Sequence, residues 1–176
     1  VLKLAFSDKT GNYSDLKVLI MTDTNEIRRI FLEIQTVAMV GLSANWYRPS
    51  YFAAKYLIDH GYRVIPVNPN YKEILGEVCY PDLASIPEKV DVVDLFQRAE
   101  KTPDLARQAI QIGAKVVWLQ LGIVNEEAEG IVYKAGLKYV DDRCMKIEHS
   151  RIFGGLNFVG VNTGIISSTR NKTITN

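Results

Sequence analysis

Cysteine is scarce: Cys79 and Cys144 are the only two in 176 residues, far apart and in no zinc-ligand spacing. That excludes a disulfide framework and a cysteine-rich metal site, and it fits a reducing compartment. Net charge is also scarce, at +1 from 21 basic and 20 acidic residues, so no broad basic surface for nucleic acid is expected. No apolar run is long enough to span a membrane, and the opening Val1 to Phe6 is too short for a signal core. Cytoplasmic residence without membrane contact is the expectation. Paired carboxylates, a metal cluster and an activated nucleophile are all missing as patterns, so no catalytic residue is assigned. What is present is ordinary for one globular domain: 47% hydrophobic and 23% charged residues.

The most informative stretch runs from Thr36 to Ser50. Val37 to Val40 is apolar, too short for a helix and bounded by Gly41, so it reads as a buried strand. A polar loop, Ser43 to Arg48, follows, and Pro49 opens a helix where a missing N–H costs nothing. Strand, glycine turn and helix start together present N–H groups and a positive dipole end to an anion. A phosphate-bearing ligand is predicted.

Along the chain, a helix from Thr24 places Ile27, Ile30, Phe31 and Ile34 on one face. The Pro49–Asp59 helix is expected to bury Phe52, Ala53, Tyr56 and Leu57, ending at His60-Gly61. Strand two is Tyr62 to Val67, strand three Val90 to Phe96, strand four Ala114 to Leu119 and strand five Lys138 to Val140. Helices start at Thr102-Pro103 and, capped by Asn125, at Glu126; a short helix is expected after Asp142. The expected organisation is an N-terminal arm (1–22), a domain (23–152) and a C-terminal tail (153–176). Alternating strands and helices predict an α/β fold, a Rossmann-like parallel sheet with helices on both faces and strand order 3-2-1-4-5. In that order the loops Gly41 to Arg48 and Gln120 to Gly122 flank one crevice.

A dinucleotide site should show three glycines after strand one and an acidic residue about twenty positions on. Here Gly41 stands alone before Pro49, and strand two ends in Asn68-Pro69-Asn70. Both departures weigh against an NAD(P)-dependent oxidoreductase, which is kept as the alternative. The loop instead carries Arg48, a fixed cation suited to a phosphate.

Gly41-Leu42-Ser43 with Arg48-Pro49-Ser50-Tyr51, and Gly61-Tyr62-Arg63-Val64-Ile65-Pro66-Val67-Asn68-Pro69, resemble the CoA-binding protein family. That family is similar to the N-terminal domain of the succinyl-CoA synthetase alpha subunit. The likeness continues through Val90 to Asp94, Gly113 to Lys115, Trp118 to Gly122, Asn125 to Glu127 and Asp142 to His149. It implies a Rossmann-like domain holding coenzyme A or an acyl-CoA at the C-terminal edge of the sheet, without a complete catalytic site. It also implies a possible partner enzyme, as in a subunit of an acyl-CoA ligase. Ser43, Ala44 and Asn45, with Arg48 and Ser50, would meet the phosphates, and Gly41 and Leu42 before them belong to the same cofactor-binding set. Asn68, Pro69, Asn70 and Lys72 would contact the adenosine or its 3′-phosphate. Phe96, Gln97 and Arg98 would flank the nucleotide, and Gln120, Leu121 and Gly122 would border the pantetheine exit.

Other patterns have plainer readings. Tyr51 and Lys55 repeat a dehydrogenase spacing in the wrong place, and His60 suits a helix end. His149 is read as structural, having no located partner. Cys144 lies between Arg143 and Lys146, a cationic setting that would favour a thiolate, so it is the one possible redox thiol; a buried structural thiol is the competing reading.

Overall fold

The computed structural model describes residues 24–154. The proposed arm and almost all of the proposed tail lie outside them. Chain order is α1 (Thr24–Glu33), β1 (Thr36–Val40), α2 (Pro49–Asp59), β2 (Arg63–Val67), β3 (Glu73–Ile74), β4 (Glu77–Val78), β5 (Val92–Leu95), α3 (Thr102–Gln111), β6 (Val116–Leu119), α4 (Glu126–Lys134), β7 (Lys138–Val140) and α5 (Met145–Phe153). A 3₁₀ turn, Ala99–Lys101, leads into α3. The five long strands are all parallel, and β3 and β4 form a small antiparallel hairpin.

Period-two alternation divides the sheet's side chains between two cores. Val37, Met39, Val64, Val92, Val116 and Trp118 face α1, α2 and α5, meeting Ile30, Phe31, Ala54, Leu57 and Met145. Ala38, Val40, Ile65, Val67, Val93, Leu95, Val117 and Leu119 face α3 and α4, meeting Ala106, Ala109, Ala128 and Val132. Both faces are covered, which is why the strands read as apolar runs rather than alternating ones. On α2, Ala53 and Leu57 are buried as expected, but Phe52 is 46% exposed. The helix presents alanines to the sheet and turns Phe52 outward.

The strand order is β2-β1-β5-β6-β7, not the expected 3-2-1-4-5. Strand three pairs with β1, Val37 opposite Val92 through Val40 opposite Leu95, and separates it from strand four. Two features account for this. Tyr80 occupies the outer edge of β2, its N–H donating to Pro66 O (2.9 Å) and its carbonyl accepting from Asn68 N–H (2.8 Å). In addition, the connection from β2 to β5 buries Leu83 on the α3–α4 face, opposite α2. A right-handed crossover on that face must run back across β1. Asp91 then locks the register, accepting from Gln35 N–H (2.9 Å) and Thr36 N–H (3.1 Å) while pairing with Lys115 (2.8 Å).

α5 closes the α1–α2 face through a buried ionic cluster. Glu148 accepts from Arg143 (3.2 Å) and Arg151 (2.6 Å), and Arg151 reaches Thr24 at the start of α1 (3.5 Å). Trp118 Nε1 donates to the Arg143 carbonyl (2.6 Å), fastening the approach to α5 onto β6.

Candidate functional site

With β5 beside β1, the strand order reverses between these two, and that is where a doubly wound sheet opens its crevice. The loops that meet there are Gly41 to Arg48 and Phe96 to Arg98. Gly41 has φ +86°, and a Cβ built on it would lie 2.4 Å from Phe96 O and 2.9 Å from Gln97 Nε2. Its N–H donates to Val67 O (2.9 Å), while Phe96 N–H donates to Val40 O (2.9 Å). Gly41→Ala therefore combines left-handed backbone strain, about 1–2 kcal/mol, with a clash against main chain. It is expected to lower the melting temperature by several degrees, measurable by circular dichroism; an unchanged midpoint contradicts this packing.

The loop after Gly41 is held by its own hydrogen bonds. Leu42 is buried, and its carbonyl accepts from Asn68 Nδ2 (2.8 Å), which brings the end of β2 to the loop. Ser43 N–H donates to Ser50 Oγ (3.2 Å), Asn45 N–H to Ser43 Oγ (3.1 Å), Tyr47 N–H to Asn45 Oδ1 (3.0 Å) and Arg48 N–H to Asn45 O (3.0 Å). These bonds engage several N–H groups expected to meet phosphates. They also leave the Ser43 and Ser50 hydroxyl hydrogens available, because both hydroxyl oxygens accept. Arg48, at the N-cap of α2, makes no side-chain capping bond and is exposed. The donor set, two hydroxyls and a guanidinium at a helix start, suits a phosphate.

Asn68 Oδ1 accepts from Asn70 N–H (3.0 Å), shaping the turn that presents exposed Pro69, Asn70 and Lys72. Arg98 is exposed beyond β5. Gln120, Leu121 and Gly122 lie one strand farther from β1 than the expected order placed them, so they border the crevice from beyond β5. Ala44 and Asn45 form the exposed turn of the loop. Trp46 and Tyr47 next to them are exposed aromatic rings with centroids 3.7 Å apart, and neither was among the expected site residues.

The sequence reading also passed over Asp94. It is fully buried on β5, in register with Met39 on one side and Trp118 on the other. Oδ1 accepts from Gln120 Nε2 (2.6 Å), and Oδ2 has no hydrogen-bond partner among the described residues. Burial pushes its pKa up to about 7, against the lowering effect of Gln120 and the Leu95 N–H. The available signal was a carboxylate inside a run otherwise apolar enough to be buried on both faces.

Cys144 does not have the thiolate-favouring setting inferred from its neighbours. Burial pushes the thiol pKa up and Asp94 adds to the rise, outweighing the lowering by the Ile147 and Lys146 N–H groups and the Lys146 charge. Arg143 is engaged with Glu148. Lys55 pairs with Asp59 (2.9 Å) and the Tyr51–Lys55 spacing is a surface helix feature. His60 Nδ1 lies 2.7 Å from Tyr56 O at the end of α2. His149 packs against Phe31, Tyr62 and Phe153, with Nδ1 3.1 Å from Tyr56 Oη, and its pKa is lowered by burial and then by His60. Among the described residues no group of three or more His, Cys, Asp or Glu could hold a metal, and no helix is long and apolar enough to cross a membrane.

Residues 35–150 match the profile of the CoA binding domain family. The chain belongs to the CoA-binding domain family. The Bacillus subtilis protein YneT is 37% identical over 125 residues, spanning 71% of this chain and 93% of its own length. ADP-forming acetate–CoA ligase II of Archaeoglobus fulgidus is 28% identical over 153 residues, 85% of this chain but 21% of the ligase. The solved structure of a protein from Pyrococcus horikoshii OT3 superimposes with a TM-score of 0.73 at 41% identity, covering 84% of this chain and all of that one. The matched stretch thus spans nearly all of one small protein and about a fifth of a larger ligase.

Proposed function

We propose that this CoA-binding domain binds coenzyme A, free or acylated, in the crevice above β1 and β5, and that it has no complete catalytic site of its own. The observation that carries the reading is the Gly41–Ser50 unit, with two serine hydroxyls and the Arg48 guanidinium at the start of α2, in a chain of this family. The pyrophosphate would sit against Ser43, Ser50 and Arg48. The adenosine and its 3′-phosphate would lie toward Asn68, Pro69, Asn70 and Lys72, with Phe96, Gln97 and Arg98 on the other side. The pantetheine arm would leave past Gln120, Leu121 and Gly122. Similarity to the acetate–CoA ligase supports a role beside a partner enzyme that consumes or forms the thioester.

The test is thermal unfolding with CoA, acetyl-CoA, NAD, NADP and ATP at matched concentrations. A ligand at one hundred times its dissociation constant adds about 2.7 kcal/mol to native stability. CoA or acetyl-CoA is expected to raise the midpoint by several degrees and the nicotinamide nucleotides to leave it unchanged. Arg48→Ala and Lys72→Ala are each expected to weaken CoA binding about tenfold, the loss of one charge-assisted contact. A midpoint that moves only with NAD or NADP overturns the proposal.

A further inference from the structure

Gln120 and Asp94 form a buried pair whose chemistry is one-directional. Asp94 is completely buried, Gln120 is 5% exposed, and Gln120 Nε2 donates to Asp94 Oδ1 at 2.6 Å. Whether Asp94 is neutral or ionised, an unprotonated carboxyl oxygen can only accept, so Oδ1 takes the NH₂ end of the amide and fixes which way the group is turned. Gln120 directly follows β6, at the sheet edge where the crevice opens. Packing does not require an acid at position 94, because its neighbours in register are Met39 and Trp118 and its second oxygen is unpartnered. A carboxylate kept in such surroundings is costly to fold and calls for a role.

We infer that Asp94 is a positioning residue for the pantetheine arm: it holds the Gln120 amide with its oxygen toward the crevice, so that Gln120 accepts from an amide N–H of the ligand. This rests on the CoA reading above and deepens it. It makes the site selective at a point remote from the phosphates. A ligand with amide donors along its arm is recognised there, and a nucleotide without an arm is not. Asp94 also raises the pKa of the Cys144 thiol at the N-cap of α5, where burial is the larger cause.

Titration calorimetry with two probes, CoA and adenosine 3′,5′-bisphosphate, separates this role from a structural one. Asp94→Leu is expected to weaken CoA about tenfold and to leave the bisphosphate unchanged. Asp94→Asn, whose amide oxygen can still accept from Gln120, is expected to keep CoA affinity within about threefold. Gln120→Met, which keeps length and removes the acceptor, should reproduce the Asp94→Leu selectivity, and adding Asp94→Leu to it should weaken CoA no further. Gln120→Met keeps the idea testable should Asp94→Leu not fold. Equal loss of both probes, or no loss of CoA in either variant, overturns the inference while leaving the CoA reading intact. Binding of neither probe to the parent protein overturns both.

Discussion

Asp94→Asn is expected to stabilise the protein strongly at pH 8, less at pH 5 and not at all below about pH 4. The folded protein holds the Asp94 proton up to about pH 7, whereas the unfolded chain releases it near the ordinary aspartate value. Between the two values the native state binds more protons, so the stability contributed by the neutral carboxyl is complete below about pH 4 and lost as pH rises through 7. The shift corresponds to a destabilisation on the order of 4 kcal/mol above pH 7. Asparagine carries no such charge, so at pH 8 its melting temperature should exceed the parent's by roughly 10 °C, and the fall between pH 5 and 8 should flatten. Calorimetric midpoints across that range decide the matter. Parallel curves for the two proteins would mean that Asp94 is ionised in the fold at ordinary cost.

Glu148→Ala should have the opposite sign and a similar size. Glu148 is 3% exposed and bonds two guanidiniums that are themselves buried, Arg143 and Arg151. Removing the shared carboxylate leaves two cations in low dielectric without it, and breaking one partner of a buried pair costs about 3–5 kcal/mol. Chemical denaturation should show the midpoint falling with an unchanged slope. Glu148→Gln keeps the volume and one of the two acceptor oxygens and should recover part of the loss. A surface-like change of under about 0.5 kcal/mol would mean that the cluster is solvated.

These two residues show where sequence reading stops. The strand–glycine–helix unit was legible because each part has a local cause: an apolar run, Gly41 with its positive φ, and Pro49 at the first helical position. The alternation of strands and helices gave a Rossmann-like sheet covered on both faces. The strand order was not legible, since it depends on Tyr80 taking one edge of β2 and on Leu83 choosing a face, and neither residue carries a periodic signal. Asp94 was hidden for a related reason. Its partner Gln120 is 26 residues away and belongs to another strand end, so only the register of β5 with β6 brings them together. The setting of Cys144 was not legible from its sequence neighbours, because Arg143 turns to Glu148 and burial raises the thiol pKa.

The contact between Arg151 and Thr24 has a consequence for how such a unit is used. The described residues begin and end at neighbouring points on one side of the sheet. A unit whose two ends meet can be joined into a longer polypeptide with short connections and little distortion of either part. The same architecture can then serve as a small protein and as a module of a multidomain ligase, and its strand ends, where the crevice lies, are unaffected by which of the two it is.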